Sequence, residues 1–176
     1  IIIKNNYVKI RYSDDTWMVD GKGKVLLQNK EDEIDYKIEK NSEVVKFNGL
    51  VSLNKDPFVI SFLNFKKNKD TKTKIFFKGY KNLQKKLFLE TINLIEDKNK
   101  IEAKNIYFDT DLKIRRIDNF YADYKDAQGQ KNFFDIKRDK KNYIFTGDEF
   151  NADALIENLL IKDSKTNFIK DNFDLI

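Results

Sequence analysis

The chain has 176 residues, of which 40% are hydrophobic, 36% charged and 14% aromatic, and its 34 basic and 29 acidic residues leave a net charge of +5. This composition excludes a disordered chain, and the length suits one domain, 1–176, with a core of its own. There is no His and no Cys, which excludes a Ser-His-Asp triad, a thiol nucleophile, a disulfide and an ordinary zinc or copper site.

Read in chain order, the sequence is a succession of short apolar runs broken by polar steps, the pattern of strands and hairpin connections. The opening "IIIKNNYVKI" already reads as a strand through Ile1, Ile3, Tyr7 and Val8. Since no Met precedes it, the expectation is a mature chain from which a signal or anchor segment has been trimmed. "VDGKGKVLL" follows, and then "EIDYKIE", with Ile34, Tyr36 and Ile38 on one face and Asp35, Lys37 and Glu39 on the other. "EVVKFNGLVSL" places Val45, Phe47, Val51 and Leu53 on a common face. After the one proline, Pro57, "FVISFLNF" is expected as a strand with Phe58, Ile60 and Phe62 sharing a side. "KIFFKGY", the stretch 100–127, "KNFFDIK" and "NYIFTG" continue the series.

Two segments fit helix as well as strand. In 82–97, Leu83, Leu87, Phe88, Thr91 and Ile95 fall at helical spacing, although the company is strand-like and a strand is preferred. In 151–162 the same spacing links Leu155, Ile156, Leu159 and Leu160, with Asn151 or Asp153 as a candidate N-cap, and the choice stays open.

Several residue groups invite a chemical reading, and each has a plainer one. Asp14–Asp15 and Asp109 with Asp111 offer carboxylates to a cation, but Asp-rich steps between strands are ordinarily turns. The clusters Lys66–Lys67–Lys69, Lys85–Lys86 and Arg138–Lys140–Lys141 suit lipid phosphates or simple protection of sheet edges. Arg115–Arg116 is the one Arg pair, and Arg suits bidentate phosphate contact. "GKGK" at 21–24 lacks the strand–loop–helix setting and the Ser/Thr of a phosphate loop. No catalytic residue, metal or cofactor is expected. Both signs of charge are intermixed, which argues against a nucleic-acid surface.

A loose phrase recurs: an apolar strand, a small residue, an aromatic, a polar turn and a second strand holding Asn. It is fullest in "NKIEAKNIYFDTDLKIRRIDNFYADY" from Asn99, returns from Tyr143, and is weaker from Asp32. The phrase resembles the OstA-type repeat of the lipopolysaccharide-transport proteins, the LptA and LptC group. Ile101, Ala103, Tyr107 and Asp109 match the first half, and Asn119 and Phe120 fall where the family has Gly-Asn-Val, with Asp118 replacing the glycine. "FNGLVSL" (47–53) resembles that second half with Asn and Gly exchanged, and Asp14 to Leu27 is similar to the Trp-containing entry strand.

The resemblance implies an open β-jellyroll, two antiparallel sheets with an apolar groove between them that takes the acyl chains of an envelope glycolipid. Each buried methylene contributes roughly 0.8 kcal/mol, so a long apolar slot suits such cargo. On this reading Phe47, Val51, Phe62, Phe77, Leu89, Ile114, Phe120 and Phe145 line the groove, and Arg115 and Arg116 meet headgroup phosphates at its rim. The implied setting is the periplasm, with an anchor to the inner membrane preceding residue 1 as one possibility. The implied partners are a lipopolysaccharide-like glycolipid and homologous β-jellyroll proteins joined through edge strands, with a homo-oligomer as a further option. The alternative reading is a surface interaction module, a β-sandwich with a dry core and no lipid.

Overall fold

The computed structural model is all-β, consistent with a jellyroll-like arrangement, and describes residues 2–27, 31–53, 58–68, 71–84, 86–153 and 156. The strands in chain order are β1 (Ile3–Ser13), β2 (Thr16–Leu26), β3 (Glu31–Lys40), β4 (Val44–Leu53), β5 (Val59–Ile60), β6 (Phe65–Lys66), β7 (Thr73–Asn82), β8 (Leu87–Glu96), β9 (Asn99–Phe108), β10 (Ile114–Lys125), β11 (Lys131–Asp139) and β12 (Asn142–Glu149). Ten of them form one antiparallel ladder in the order β1-β2-β3-β4-β7-β8-β9-β10-β11-β12, and β5 pairs with β6 apart from it. Each strand of the ladder thus lies beside the next, except where the segment between β4 and β7 intervenes.

Tight turns join the strands. The β1–β2 hairpin turns on Asp14 and Asp15, at φ 49° and 60°, the doubly left-handed geometry whose twist matches the flanking strands. At the β9–β10 turn, Asp109 Oδ1 accepts the backbone N–H of Asp111 at 2.9 Å and of Lys113 at 2.8 Å. Both Asp-rich steps are therefore turn chemistry. The run 82–97 resolves as a turn followed by strand β8. In 151–162 one helical hydrogen bond forms, Ile156 N–H to the Ala152 carbonyl, and Asp153 N–H donates to Asn151 Oδ1. The rest of that segment lies outside the described residues.

Alternation sends one set of side chains to a common inner face. The most buried row crosses seven strands through Ile34, Val51, Ile75, Leu94, Ile101, Ala122 and Phe134, none more than 8% exposed. Fully burying one such aliphatic or aromatic side chain is worth about 1.5–3 kcal/mol. One row farther toward one end lie Val25, Leu53, Thr73, Glu96, Tyr124 and Asn132, each at most 2% exposed. What covers them is the segment between β4 and β7. Its sequence suggests one strand, but it folds as the β5–β6 pair around a 3-10 turn at Ser61–Leu63, closed by Asn64 at φ 50°. Phe58, Ile60 and Phe62 do share a side: all three pack on the inner-face core, with Leu63 and Phe65 buried beneath.

Polar contacts pin this plug. Glu96 is 1% exposed, and its Oε1 accepts the Asn68 N–H at 2.9 Å, the Thr71 hydroxyl at 2.5 Å and the Thr73 hydroxyl at 3.1 Å. Asn99 Nδ2 donates to Oε2 at 3.1 Å. The Tyr124 hydroxyl donates to the Leu63 carbonyl at 2.7 Å, and Ala127 N–H to the Asn64 carbonyl at 2.9 Å. Lys67, which the sequence groups with solvated lysines, is buried here, and its Nζ donates to the Asn68 carbonyl at 2.8 Å.

Replacing Glu96 by Ala strands these donors in a dry setting and should cost about 3 kcal/mol or more in a urea melt, with Glu96→Gln losing less because it keeps one acceptor oxygen. Burial first, and Asp126 second, hold the Tyr124 hydroxyl well above its ordinary value of 10.0. The folded state therefore keeps a proton that the unfolded chain releases. The resulting stability is complete below that value and declines as pH rises beyond it. Above about pH 10 the unfolding free energy of the wild type should fall more steeply than that of Tyr124→Phe.

Candidate functional site

Away from the plug the inner face stays largely apolar but is covered only in part. The next row runs Tyr36, Gly49, Phe77, Ile92, Ala103, Phe120, Ile136 and Phe145. Here Ile92 is 36% exposed and Phe145 50%, while Tyr36, Phe77, Phe120 and Ile136 are half-buried. Beyond it come Ile38, Phe47, Gly79, Leu89, Ile106 and Ile117, and then Phe108 beside Ile114. The face is thus sealed at the plugged end and unevenly covered toward the other, where the β1–β2, β3–β4, β7–β8, β9–β10 and β11–β12 turns lie: Ile38, Phe47 and Leu89 are half-buried there, while Ala103, Ile106 and Ile117 form a second buried cluster.

Two local devices shape the open half. The first is small residues beneath large ones. A Cβ on Gly49 would lie 2.4 Å from Phe77 Cζ, and one on Gly21 would lie 2.1 Å from the Tyr36 ring, so each ring rests flat across the neighbouring strand. The second is a set of bulges. Inward positions step from Ile92 to Leu89 in β8, from Ala103 to Ile106 in β9 and from Phe120 to Ile117 in β10, three residues instead of two. The β7–β8 register shifts between Lys78 and Gly79, which leaves Glu90 extra, the β9–β10 register shifts between Ile114 and Arg116, and Asn105 of β9 stands at φ 53°. Bulges bend a strand and increase its twist, so these irregularities curve the sheet there.

Aromatic rings line the floor. Phe47 and Phe77 centroids are 6.3 Å apart, and Phe62 of the plug meets Phe120 at 6.4 Å. Phe120 stacks on Phe134 at 5.8 Å, Phe134 on Phe145 at 5.3 Å, and Phe150 closes the row edge-on against Phe134 at 4.6 Å. The Tyr36 hydroxyl leans out of the row to accept a hydrogen bond from Asn6 Nδ2 at 2.9 Å. Such a surface can bind apolar chains by burial.

The residues singled out from sequence meet on this face. Phe47, Phe77, Leu89, Ile114, Phe120 and Phe145 lie on its open half, Val51 is sealed in the most buried row, and Phe62 reaches the face from the plug. The two arginines do not join them. Arg116 lies on the opposite face, its guanidinium 3.6 Å from the Tyr107 ring centroid and 2.9 Å from Asp118, at the end of a ladder in which Tyr80, Phe88 and Tyr107 follow at 5.0 and 4.8 Å. Arg115 is exposed at the open-end turn and pairs with Asp109 at 2.8 Å. Arg138 of β11 approaches the same Asp118 oxygen at 3.9 Å.

The glycines give a graded test. At Gly49 an added methyl meets the far end of a ring that can swing into the open space, whereas at Gly79 it meets the Phe88 carbonyl oxygen at 2.2 Å, where backbone must move. Gly79→Ala should therefore lower stability by about 2 kcal/mol or more and Gly49→Ala by about 1 or less, as read from paired thermal melts.

Compared with known proteins, the chain matches no family model, no curated protein and no solved structure.

Proposed function

We propose that the protein is a non-catalytic lipid carrier, holding the acyl portion of an envelope glycolipid along the open rows of its inner face. The observation that carries this reading is the uneven cover of that face: the plug seals one end, while farther along Ile92 and Phe145 reach solvent and Phe77, Phe120 and Ile136 are half-buried, beside a second buried cluster of Ala103, Ile106 and Ile117. An open slot takes up and releases a chain more readily than a closed core, and each methylene it removes from water contributes roughly 0.8 kcal/mol. The motif residues Ile101, Ala103, Tyr107, Asp109, Asn119 and Phe120 add the lipopolysaccharide-transport resemblance, and with it a place between two membranes.

Among the described residues the sheet ends at two edge strands, β1 and β12, both exposed along nearly their whole length. Such edges accept an added strand. We assign them to docking with homologous β-jellyroll proteins or a second copy, so that the groove of one molecule continues into the next.

Phe77 and Ile75 lie on one strand and one face, on either side of the boundary between open and sealed rows. Phe77→Glu should remain folded, because water reaches its row, and should lose at least tenfold in affinity for a fluorescent fatty-acid probe. Ile75→Glu buries an unpaired charge and should unfold. Should both variants unfold, or should folded Phe77→Glu bind the probe as the wild type does, the face is a dry core and the protein an interaction module. Native mass spectrometry of protein purified from its own host should likewise show bound glycolipid.

A further inference from the structure

The turns of the open end carry an arrangement that chain reversal alone does not require. Leu83, in the β7–β8 turn, is 73% exposed, and Leu112, in the β9–β10 turn, is 60% exposed. Strands β8 and β9 are neighbours, so the two turns sit side by side, about 10 Å apart at two strand spacings. Leu112 also has φ 63°, the left-handed region where Gly, Asn or Asp is accommodated more easily and a bulky side chain is an outlier. The chain thus holds a leucine in water at a position where glycine would make a better turn.

The charges around the two leucines lean one way. Segments 81–86 and 109–115 contain five basic residues against two acidic ones. Of those two, Asp109 is occupied by the turn's own N–H groups and by Arg115. Of the other acidic residues of this end, Asp14, Asp15 and Glu43 belong to the β1–β2 and β3–β4 turns farther along the sheet, and Asp139 at the β11–β12 turn is followed by Lys140 and Lys141. Exposed leucines flanked by long cationic side chains are the chemistry of a bilayer boundary: the apolar tip enters among acyl chains while the cation stays at the phosphates.

We propose that the β7–β8 and β9–β10 turns dock the open end on an anionic lipid bilayer, with Leu83 and Leu112 inserted and Lys81, Lys86 and Lys113 at the phosphates. The inference deepens the carrier reading and rests on it, since the half-buried Phe108 and Ile114 of the inner face adjoin the β9–β10 turn and would meet a chain leaving the membrane there.

Flotation with vesicles tests it. The full chain should float with vesicles of phosphatidylcholine mixed with phosphatidylglycerol, less with phosphatidylcholine alone, and less again at high salt, which screens the lysines. The double variant Leu83→Ser with Leu112→Gly should lose on the order of a hundredfold in vesicle partitioning, about tenfold per leucine. Its melting temperature should hold, because glycine suits the backbone at 112 better than leucine does. Wild-type binding by that double variant, no preference for the anionic vesicles, or no flotation at all would overturn the proposal. The two readings separate with the soluble fatty-acid probe. Flotation without probe uptake keeps the docking and removes the groove; probe uptake without flotation removes the docking and keeps the groove.

Discussion

A carboxylate sealed from water is tolerable only when its oxygens are satisfied, and at Glu96 three of the groups that satisfy it come from beside or within the segment that covers the sheet: the Asn68 N–H and the Thr71 and Thr73 hydroxyls. Glu96 ends β8, while its partners lie 23 to 28 residues earlier in the chain. The bond set therefore fixes where the plug sits relative to a strand that has not yet been made when the plug is. With the Tyr124 hydroxyl on Leu63, it holds Phe65 and Leu63 down on the inner face and makes that end dry. A ten-stranded sheet with one apolar face needs such a cover somewhere. Placing it over half of the face is what makes the molecule asymmetric.

The open half is stabilised differently. Beside its own buried cluster of Ala103, Ile106 and Ile117, it depends on lateral packing within the face: rings laid across glycines, and the stacked series from Phe120 through Phe134 to Phe145. The opposite face depends on cross-strand pairs such as Arg11 with Asp20 at 2.7 Å and Lys78 with Glu90 at 2.5 Å, each worth little alone. Arg116 on Tyr107 is stronger, because the guanidinium is both stacked and paired with Asp118.

How much of this was legible follows from the range of each signal. Alternation with a period of two is local, so Ile34, Tyr36 and Ile38, and likewise Phe47, Val51 and Leu53, could be assigned to a face from sequence, and they pair in that register. The same rule placed Phe58, Ile60 and Phe62 together but mistook a folded plug for a strand, because nothing local marks Asn64 as left-handed or Leu63 as covered. Strand preference in 82–97 won over helical spacing for a tertiary reason: β8 is flanked on both sides by strands that need its hydrogen bonds. The irregularities near Glu90, Asn105 and Arg115 were invisible, since a register shift exists only between paired strands. They shift the phase of alternation, and with it which side of β10 an arginine such as Arg116 occupies. Burial of Lys67 and Glu96 was equally out of reach, being set by a contact between distant segments.

The order of the ladder has a consequence for how the chain assembles. Nearly every strand pairs with the one made just before it, so most contacts are close in sequence and hairpins can zip in succession, a pattern associated with fast folding despite the all-β architecture. One step breaks the succession. Joining β4 to β7 means closing a loop that spans Asn54 to Lys72 before any ladder bond rewards it. During synthesis β1 to β4 would wait as a four-stranded sheet whose far edge, Val44 to Leu53, is long and rich in apolar residues. That edge is an aggregation-prone surface, and it is paired only when β7 arrives.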